Sequence, residues 1–193
     1  MIQRFVEKLN WATGIDDKGH PIRTEIKPTP EGMKVCPGYA GATNWFAPSY
    51  NESTKMLYFM AVEQCQTFFS AQEPQKFTPG KEFYSTGVKH LAGENPQKIL
   101  MAFNPAEGTL AWKYPQVGTA HSTGGTMSTA GGLVFFGDDA QSLEAVDARD
   151  GKPLWHFNTG QDMSASPMSY AVSGRQYVAM AAGSDIFSFA LVQ

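Results

Sequence analysis

The sequence lacks long apolar runs, basic clusters and a high density of charge. Only 17% of its 193 residues are charged, and no group of Lys and Arg exceeds a pair, so the electrostatic footprint of a nucleic-acid-binding protein is missing. No apolar run approaches the roughly 18–20 residues of a membrane-spanning helix. The first residues, MIQRFVEKLNWATG, lack the apolar core and cleavage site of a signal peptide. We therefore expect no nucleic acid partner, no membrane span and no signal peptide in this chain.

Cysteine is almost absent as well. The two cysteines, Cys36 and Cys65, match neither a metal-binding spacing nor the CxxCH motif of covalently attached haem. A disulfide between them would close a loop of about 30 residues and contribute roughly 3–4 kcal/mol in the chain-entropy model. Two buried free thiols are the alternative, and composition leaves both open.

The sequence has no persuasive helical periodicity. With 19 Gly, 12 Pro and 12% aromatic residues, the composition favours a turn-rich all-β protein. One short helical turn is expected at 63–69, and residues 70–98, which are polar and rich in Pro and Gly, predict a long loop or excursion. Short apolar runs bounded by turn residues predict strands at 56–62, 99–104, 133–136, 167–172, 177–182 and 186–191.

A repeated string is the strongest positive feature. AFNPAEGTLAW starts at residue 102 and AVDARDGKPLW at residue 145, an offset of 43 positions. In each copy the Asn or Asp accepts backbone N–H groups in a turn, the Gly supplies a positive φ, and the Trp packs against a neighbouring sheet. Such units are typical of β-propeller blades, of which 193 residues supply about three to four. The offset aligns Ala102 with Ala145, Asn104 with Asp147, Gly108 with Gly151, and Trp112 with Trp155.

These residues resemble the pyrroloquinoline quinone (PQQ)-dependent alcohol dehydrogenases of the methanol and ethanol dehydrogenase type. The repeat resembles the tryptophan-docking motif of that family, and GATNW at 41–45 resembles its Asn-Trp cofactor segment. WATGIDDKGHPI at 11–22 is similar to the segment after the family's middle blades, and the stretch from 124 onward is similar to its final blades. The resemblance identifies 1–193 as the C-terminal portion of such an enzyme.

The resemblance implies a fold and an activity for the intact enzyme. The fold is an eight-bladed propeller with PQQ near its axis, of which this chain supplies a part. The enzymes are periplasmic, oxidise primary alcohols to aldehydes with a Ca²⁺ or lanthanide ion beside the quinone, and pass electrons to a c-type cytochrome. Since the parent enzyme is exported, the resemblance favours the Cys36–Cys65 disulfide.

The resemblance also assigns site residues. Asn44 matches the asparagine that hydrogen-bonds PQQ, and Trp45 matches the aromatic residue beside the cofactor. Thr123 stands where many members of the family have a Trp, so the aromatic wall that this Trp gives the cofactor pocket is not supplied here. Trp112 and Trp155 are expected to be structural docking residues. A loop lining the cofactor rim matches Gly124, Gly125 and Thr126.

No catalytic or metal-binding residue is predicted within the chain. The family's metal ligands, catalytic Asp and adjacent Cys pair have no match here, and we expect them outside the chain with the remaining blades. The pairs Asp16-Asp17 and Asp138-Asp139 lie in predicted turns, where Asp is ordinary. We therefore expect the chain alone to be inactive. The alternative function is a non-enzymatic propeller scaffold that binds another protein; GATNW with its flanking cysteines favours the dehydrogenase.

Overall fold

The computed structural model describes residues 3–73, 75–83 and 87–192. These residues form sixteen strands in five sheets, and all pairings between the strands are antiparallel. The all-β class predicted from composition is confirmed. Within the described ranges, no helix is long and apolar enough to cross a membrane. The strands are β1 (Ala12–Ile15), β2 (Pro21–Arg23), β3 (Met33–Val35), β4 (Ser49–Asn51), β5 (Met56–Glu63), β6 (Gln66–Phe69), β7 (Gly87–His90), β8 (Gln97–Asn104), β9 (Thr109–Pro115), β10 (Thr126–Ser128), β11 (Leu133–Gly137), β12 (Ser142–Asp147), β13 (Pro153–Asn158), β14 (Met168–Val172), β15 (Arg175–Ala182) and β16 (Asp185–Phe189).

Three of the sheets are blades of a propeller. Blade one has the strand order β4-β5-β8-β9, blade two β10-β11-β12-β13, and blade three the three strands β14-β15-β16. The six predicted apolar strands lie in β5, β8, β11, β14, β15 and β16, and are confirmed. A tight turn at Ser173-Gly174 joins β14 to β15, with φ of 50° and 77° at these two residues.

The segment between β5 and β8 leaves blade one and returns. Strands β6 and β7 pair with each other, and β6 also pairs with β3, which makes a small separate sheet. The predicted loop at 70–98 therefore contains one strand, Gly87–His90, and includes the start of β8; its residues 74 and 84–86 lie outside the described ranges. The helical turn expected at 63–69 is wrong, because the backbone of Gln66–Phe69 is paired on both sides as a strand.

The small sheet and the N-terminal segment are fastened to blade one by covalent and polar contacts. Cys36, just after β3, forms a disulfide with Cys65, between β5 and β6. The free-thiol alternative is thereby excluded for this structure. Beside the disulfide, the amide of Asn10 donates to the carbonyl of Cys36 at 3.1 Å. The Glu63 carboxylate, at the end of β5, accepts the amide of Lys8 at 3.0 Å.

Blades one and two share a continuous apolar core. The inner strands β4 and β10 are neighbours, joined by the hydroxyls of Ser49 and Thr126 at 2.8 Å and by the side chain of Asn51, which donates to the carbonyl of Thr129 at 2.7 Å. The residues buried between the two blades are Phe46, Tyr58, Met60, Val62, Leu100, Ala102, Val134, Phe136, Val146 and Ala148.

The first copy of the repeat docks on the second. The indole N–H of Trp112 donates to the carbonyl of Ala148 at 3.2 Å, and the hydroxyl of Tyr58 donates to the same oxygen at 2.7 Å. The Trp112 ring covers Gly151, where an added Cβ would lie 2.7 Å from Cε3. Gly151 also has the predicted positive φ, 73°. The glycine therefore serves both the turn and the approach of the tryptophan from the preceding blade.

The second tryptophan of the repeat has a different environment. Trp155 contacts the ring of Phe189 on β16, with 5.1 Å between ring centroids, and keeps 39% of its surface exposed. In the described part of the chain, no acceptor hydrogen-bonds its indole N–H. The core between blades two and three is small and consists of Leu143, Met163, Met180 and Ala182, with Phe187 and Phe189 packed against it.

Candidate functional site

The Asn-Trp segment, residues 41–47, lies on the surface between β3 and β4. Its start is fixed to blade one, because the amide of Val62 donates to the carbonyl of Ala42 at 2.8 Å. Asn44 is exposed, and its side-chain oxygen accepts the amide of Trp45 at 2.9 Å. Trp45 is 71% exposed, which is unusual for so large an apolar side chain. The segment therefore presents an open indole face beside an amide side chain.

Part of the Asn44 amide group remains available to a ligand. Its nitrogen donates to the carbonyl of Ala40 at 3.1 Å, which uses one of its two N–H bonds. In the described structure, its second N–H has no partner. Asn44 can thus donate to an acceptor oxygen next to Trp45 without breaking the turn that holds it.

The rim loop, residues 121–126, joins blade one to blade two. Gly124 and Gly125 are buried, and their amides donate to the carbonyl of Met163 at 3.3 Å and to the hydroxyl of Ser166 at 3.2 Å. A Cβ on Gly125 would lie 2.5 Å from the carbonyl oxygen of Ala47. The two glycines therefore let three stretches of backbone approach one another, and their N–H groups are engaged within the protein.

Thr126 anchors the loop to the Asn-Trp segment. It is buried, its amide donates to the carbonyl of Ala47 at 2.9 Å, and its hydroxyl bonds to the carbonyl of Tyr58 at 3.2 Å and to the hydroxyl of Ser49. The structure thus brings residues 44–47 and 124–126 together at Ala47. Asn44 and Trp45 form the open part of this site, and the three rim residues form its support. Thr123, between the loop's polar start and its glycines, is half-buried.

A charged group lies beneath the two segments, and sequence reasoning missed it. Lys98 on β8 is 1% exposed and donates to the carbonyl oxygen and the hydroxyl of Ser122, at 2.9 and 2.7 Å. Burial lowers the pKa of Lys98 to about 8, against the opposing effect of Asp139 and Asp138. One feature of the sequence indicates that Lys98 is buried. Lys98 alternates with Leu100 and Ala102 along β8, so the three side chains share one face of the strand, and that face is buried.

The predicted turn roles of the Asp pairs are confirmed where the structure gives them partners. One oxygen of Asp138 accepts the amides of Ala140 and Ser142, both at 2.9 Å, and burial raises the pKa of this carboxyl. Asp16 accepts the amides of Lys18 and His20 at 2.9 and 2.7 Å. Asp139 does more than the predicted turn role, because its carboxylate accepts the amides of His121 and Ser122 at the start of the rim loop. Across the described ranges, no three His, Cys, Asp or Glu side chains are grouped so as to hold a metal ion.

The donor set of the open site fits a flat aromatic molecule with acceptor oxygens. The exposed indole of Trp45 offers a stacking surface of the kind that aromatic rings use. The second N–H of Asn44 offers one hydrogen bond to a quinone or carboxylate oxygen. These features are compatible with the contacts to PQQ that the resemblance implies for Asn44 and Trp45, and the rim loop lies behind these two residues.

Comparison with known proteins relates the chain to one family. Residues 105–178 match the family described as "Glucose/ethanol/alcohol dehydrogenase, beta-propeller domain". The chain is 32% identical over 189 residues to the quinoprotein alcohol dehydrogenase PedH of Pseudomonas putida, covering 93% of this chain and 31% of PedH. It is 34% identical over 194 residues to the 1-butanol dehydrogenase (cytochrome c) of Thauera butanivorans, covering 94% of this chain and 27% of that protein.

A solved structure shows the same relationship. The quinohemoprotein alcohol dehydrogenase ADHIIG of Pseudomonas putida superposes with a TM-score of 0.78 and 29% sequence identity, covering 95% of this chain and 29% of that one. The chain thus spans about 30% of the length of the curated relatives it matches and has the blade architecture predicted for it. It is a relative of the quinoprotein alcohol dehydrogenases, corresponding to part of their β-propeller.

Proposed function

We propose that the chain is the C-terminal portion of a PQQ-dependent alcohol dehydrogenase that oxidises primary alcohols to aldehydes. The observation that carries this proposal is the exposed Trp45 beside Asn44, on a segment joined to the rim loop at Ala47. A propeller that served only as a scaffold would not need an indole 71% exposed next to an amide with an available N–H. The kinship with quinoprotein alcohol dehydrogenases supports the same function.

The residues of this chain bind and orient the cofactor in the proposed enzyme. Trp45 stacks on a flat ring system, and Asn44 donates to one of its acceptor oxygens. Gly124, Gly125 and Thr126 hold the wall behind these two residues. PQQ, when bound, supplies the two-electron acceptor for oxidation of the alcohol carbon. The Ca²⁺ or lanthanide ligands and the base that takes the hydroxyl proton lie, in this proposal, on the remaining blades.

The compartment and electron acceptor belong to the proposal too. The Cys36–Cys65 disulfide supports a periplasmic intact protein, because disulfides persist in oxidising compartments. A c-type cytochrome is the proposed acceptor, in line with a relative named 1-butanol dehydrogenase (cytochrome c).

PQQ binding to the purified chain tests the proposal. We expect saturable binding by calorimetry, weakened about tenfold in Asn44→Ala, because one hydrogen bond to the ligand is lost. Trp45→Ala should weaken binding at least as much. The matched controls are Asn158→Ala, whose side chain also accepts a nearby backbone amide, and Trp155→Ala, the other exposed tryptophan.

Two results would count against the proposal. Binding that is unchanged in both Asn44→Ala and Trp45→Ala would remove the assigned site, and absence of any PQQ binding would favour the scaffold function. The expected inactivity of the chain alone is checked with PQQ, Ca²⁺, ethanol and a dye acceptor. Sustained turnover there would show that the chemistry does not need the remaining blades.

A further inference from the structure

A buried amine lies between the two halves of the candidate site. Lys98 is on β8 of blade one, at the end of the core shared with blade two, and it is 1% exposed. A buried charge is costly unless it is paired and hydrogen-bonded. What Lys98 contacts therefore indicates why a lysine occupies this position.

The first contact is the start of the rim loop. Lys98 donates to the carbonyl oxygen of Ser122 at 2.9 Å and to its hydroxyl at 2.7 Å. Asp139 completes the hold, since it accepts the amide of Ser122 at 2.9 Å and the amide of His121 at 3.1 Å. Ser122 is thus bound by a cation on one side and by a carboxylate on the other, two residues before the glycines of the loop.

The second contact is the Asn-Trp segment. The ammonium of Lys98 lies 5.1 Å from the centroid of the Phe46 ring, within the range of a cation–π interaction. Phe46 is buried and follows Trp45, with 5.8 Å between the two ring centroids. One side chain therefore touches both the rim loop and the neighbour of the exposed indole.

We propose that Lys98 is a positioning residue, which holds the rim loop and the Asn-Trp segment in fixed relation for ligand binding. This inference rests on the proposed function for the identity of the ligand, PQQ. Lys98 itself is not proposed to touch the ligand. It acts through Ser122 and Phe46.

The charges around Lys98 define how this role responds to pH. Burial lowers its pKa from 10.5 to about 8. The charged groups that act on it are Asp139 and Asp138, which follow β11. Three further titratable groups interact with these two carboxylates: Glu144 on β12 and Tyr114 on β9 with Asp138, and His121, through its amide, with Asp139. Because the ammonium donates more strongly than the neutral amine and is alone attracted to the Phe46 ring, the hold should weaken as pH rises through 8.

Global stability should respond in the opposite direction. The pKa of Lys98 is lower in the folded protein than the ordinary 10.5, so folding favours the neutral amine. Its contribution to stability therefore rises as pH goes from about 8 toward 10.5. The contacts of the rim loop with Lys98 should therefore weaken over the same pH range in which the fold as a whole gains stability.

The experiment combines two readouts on the whole chain. In ¹⁵N–¹H spectra recorded from pH 6.5 to 9.5, the amide signals of Ser122 and Gly124 and the indole signal of Trp45 should change position. All three should do so in one titration step, with a common midpoint near pH 8. Lys98→Met should abolish that step, and so should Lys98→Arg, which stays charged over the range. His121→Gln should keep it. Lys89→Met is the matched control, since Lys89 is exposed and lies 5.2 Å from the Phe69 ring centroid.

PQQ affinity at pH 7 is the second readout. We expect Lys98→Met to weaken binding about tenfold, and Lys89→Met to leave it unchanged. If PQQ binds equally well to Lys98→Met, or if the step persists in that variant, the inference is overturned while the proposed function stands. If the chain binds no PQQ but the step appears and depends on Lys98, the positioning role holds and the proposed ligand is wrong.

Discussion

Trp112 and Trp155 occupy the same place in two copies of one repeat, yet their surroundings differ. Trp112 covers Gly151 of the next blade and donates to the carbonyl of Ala148. In the described structure, the aromatic contact of Trp155 is an edge-to-face contact with Phe189, and 39% of the Trp155 surface stays exposed. The same residue thus docks in one interface and remains open in the other.

This difference shows what docking requires. Trp112 docks because blade two supplies an Asp-to-Gly turn, with the Gly151 amide bonded to the carbonyl of Asp147 at 2.9 Å. Blade three has three strands, and neither of its described turn glycines, Gly174 and Gly183, lies against the Trp155 ring. One copy of the repeat is therefore not enough to stabilise an interface between blades. The tryptophan of one copy must pack on the glycine turn of the next copy.

The largest expected effect follows from removing each tryptophan in turn. Trp112→Ala should lower the free energy of unfolding by about 3–5 kcal/mol, because it empties a packed site and leaves the Ala148 carbonyl with one donor fewer. Trp155→Ala should cost only about 1–2 kcal/mol, since the ring is partly in water already. Urea unfolding followed by circular dichroism measures both. Equal losses would contradict the difference between the two interfaces.

A smaller effect is expected from adding one methyl group beneath Trp112. Gly151→Ala places a Cβ 2.7 Å from the rigid indole at a φ of 73°, so we expect a loss of about 2–3 kcal/mol. Gly174→Ala is the matched control, because its φ is 77° and nothing lies within 4 Å of the added Cβ. It should cost about 1 kcal/mol.

Combining the substitutions sharpens the test. In a Trp112→Ala background the indole is gone, so Gly151→Ala should cost no more than Gly174→Ala does. A full cost in that background would show that Trp112 and Gly151 act independently.

The smallest effect concerns the first turn residue, which is Asn104 in one copy and Asp147 in the other. The Arg149 side chain lowers the pKa of Asp147 to about 2, so this carboxylate stabilises the fold above pH 4 and loses that contribution between pH 4 and 2. Asp147→Asn should remove this part of the acid sensitivity. The turn itself should persist, because Asn104 accepts the amides of Ala106 and Glu107 in the same way.

Urea midpoints at pH 2.5 and pH 5 measure this change. The difference between the two midpoints should be smaller in Asp147→Asn than in the unsubstituted protein, and Asp150→Asn serves as a control in the same turn. An unchanged difference would mean that the Asp147–Arg149 pair contributes nothing.

Local features of the fold were predictable because they depend on residues close in sequence. The offset between Trp112 and Trp155 predicted the blades, and the positive φ at Gly108 and Gly151 followed from the turn they share. The strand at Gln66–Phe69 was not predictable, because its partners are β3 and β7, whose pairing is set by the tertiary fold and not by a local pattern.

The candidate site was predictable only in part. Asn44 and Trp45 were identified by resemblance, and the structure places them on an open surface. Lys98 was not identified, because a lysine at the start of a strand looks like a solvated flank. Its burial depends on Ser122 and Asp139, which lie 24 and 41 positions further along the chain.

The four tryptophans of the chain can report where PQQ binds. Their indole N–H signals in a ¹⁵N–¹H spectrum can be followed while PQQ is added to the chain. We predict that the signal of Trp45 shifts first and saturates, and that those of Trp112 and Trp155 stay in place. If Trp155, the other exposed tryptophan, shifts as much as Trp45, or if no signal moves, the Asn-Trp segment is not the cofactor site.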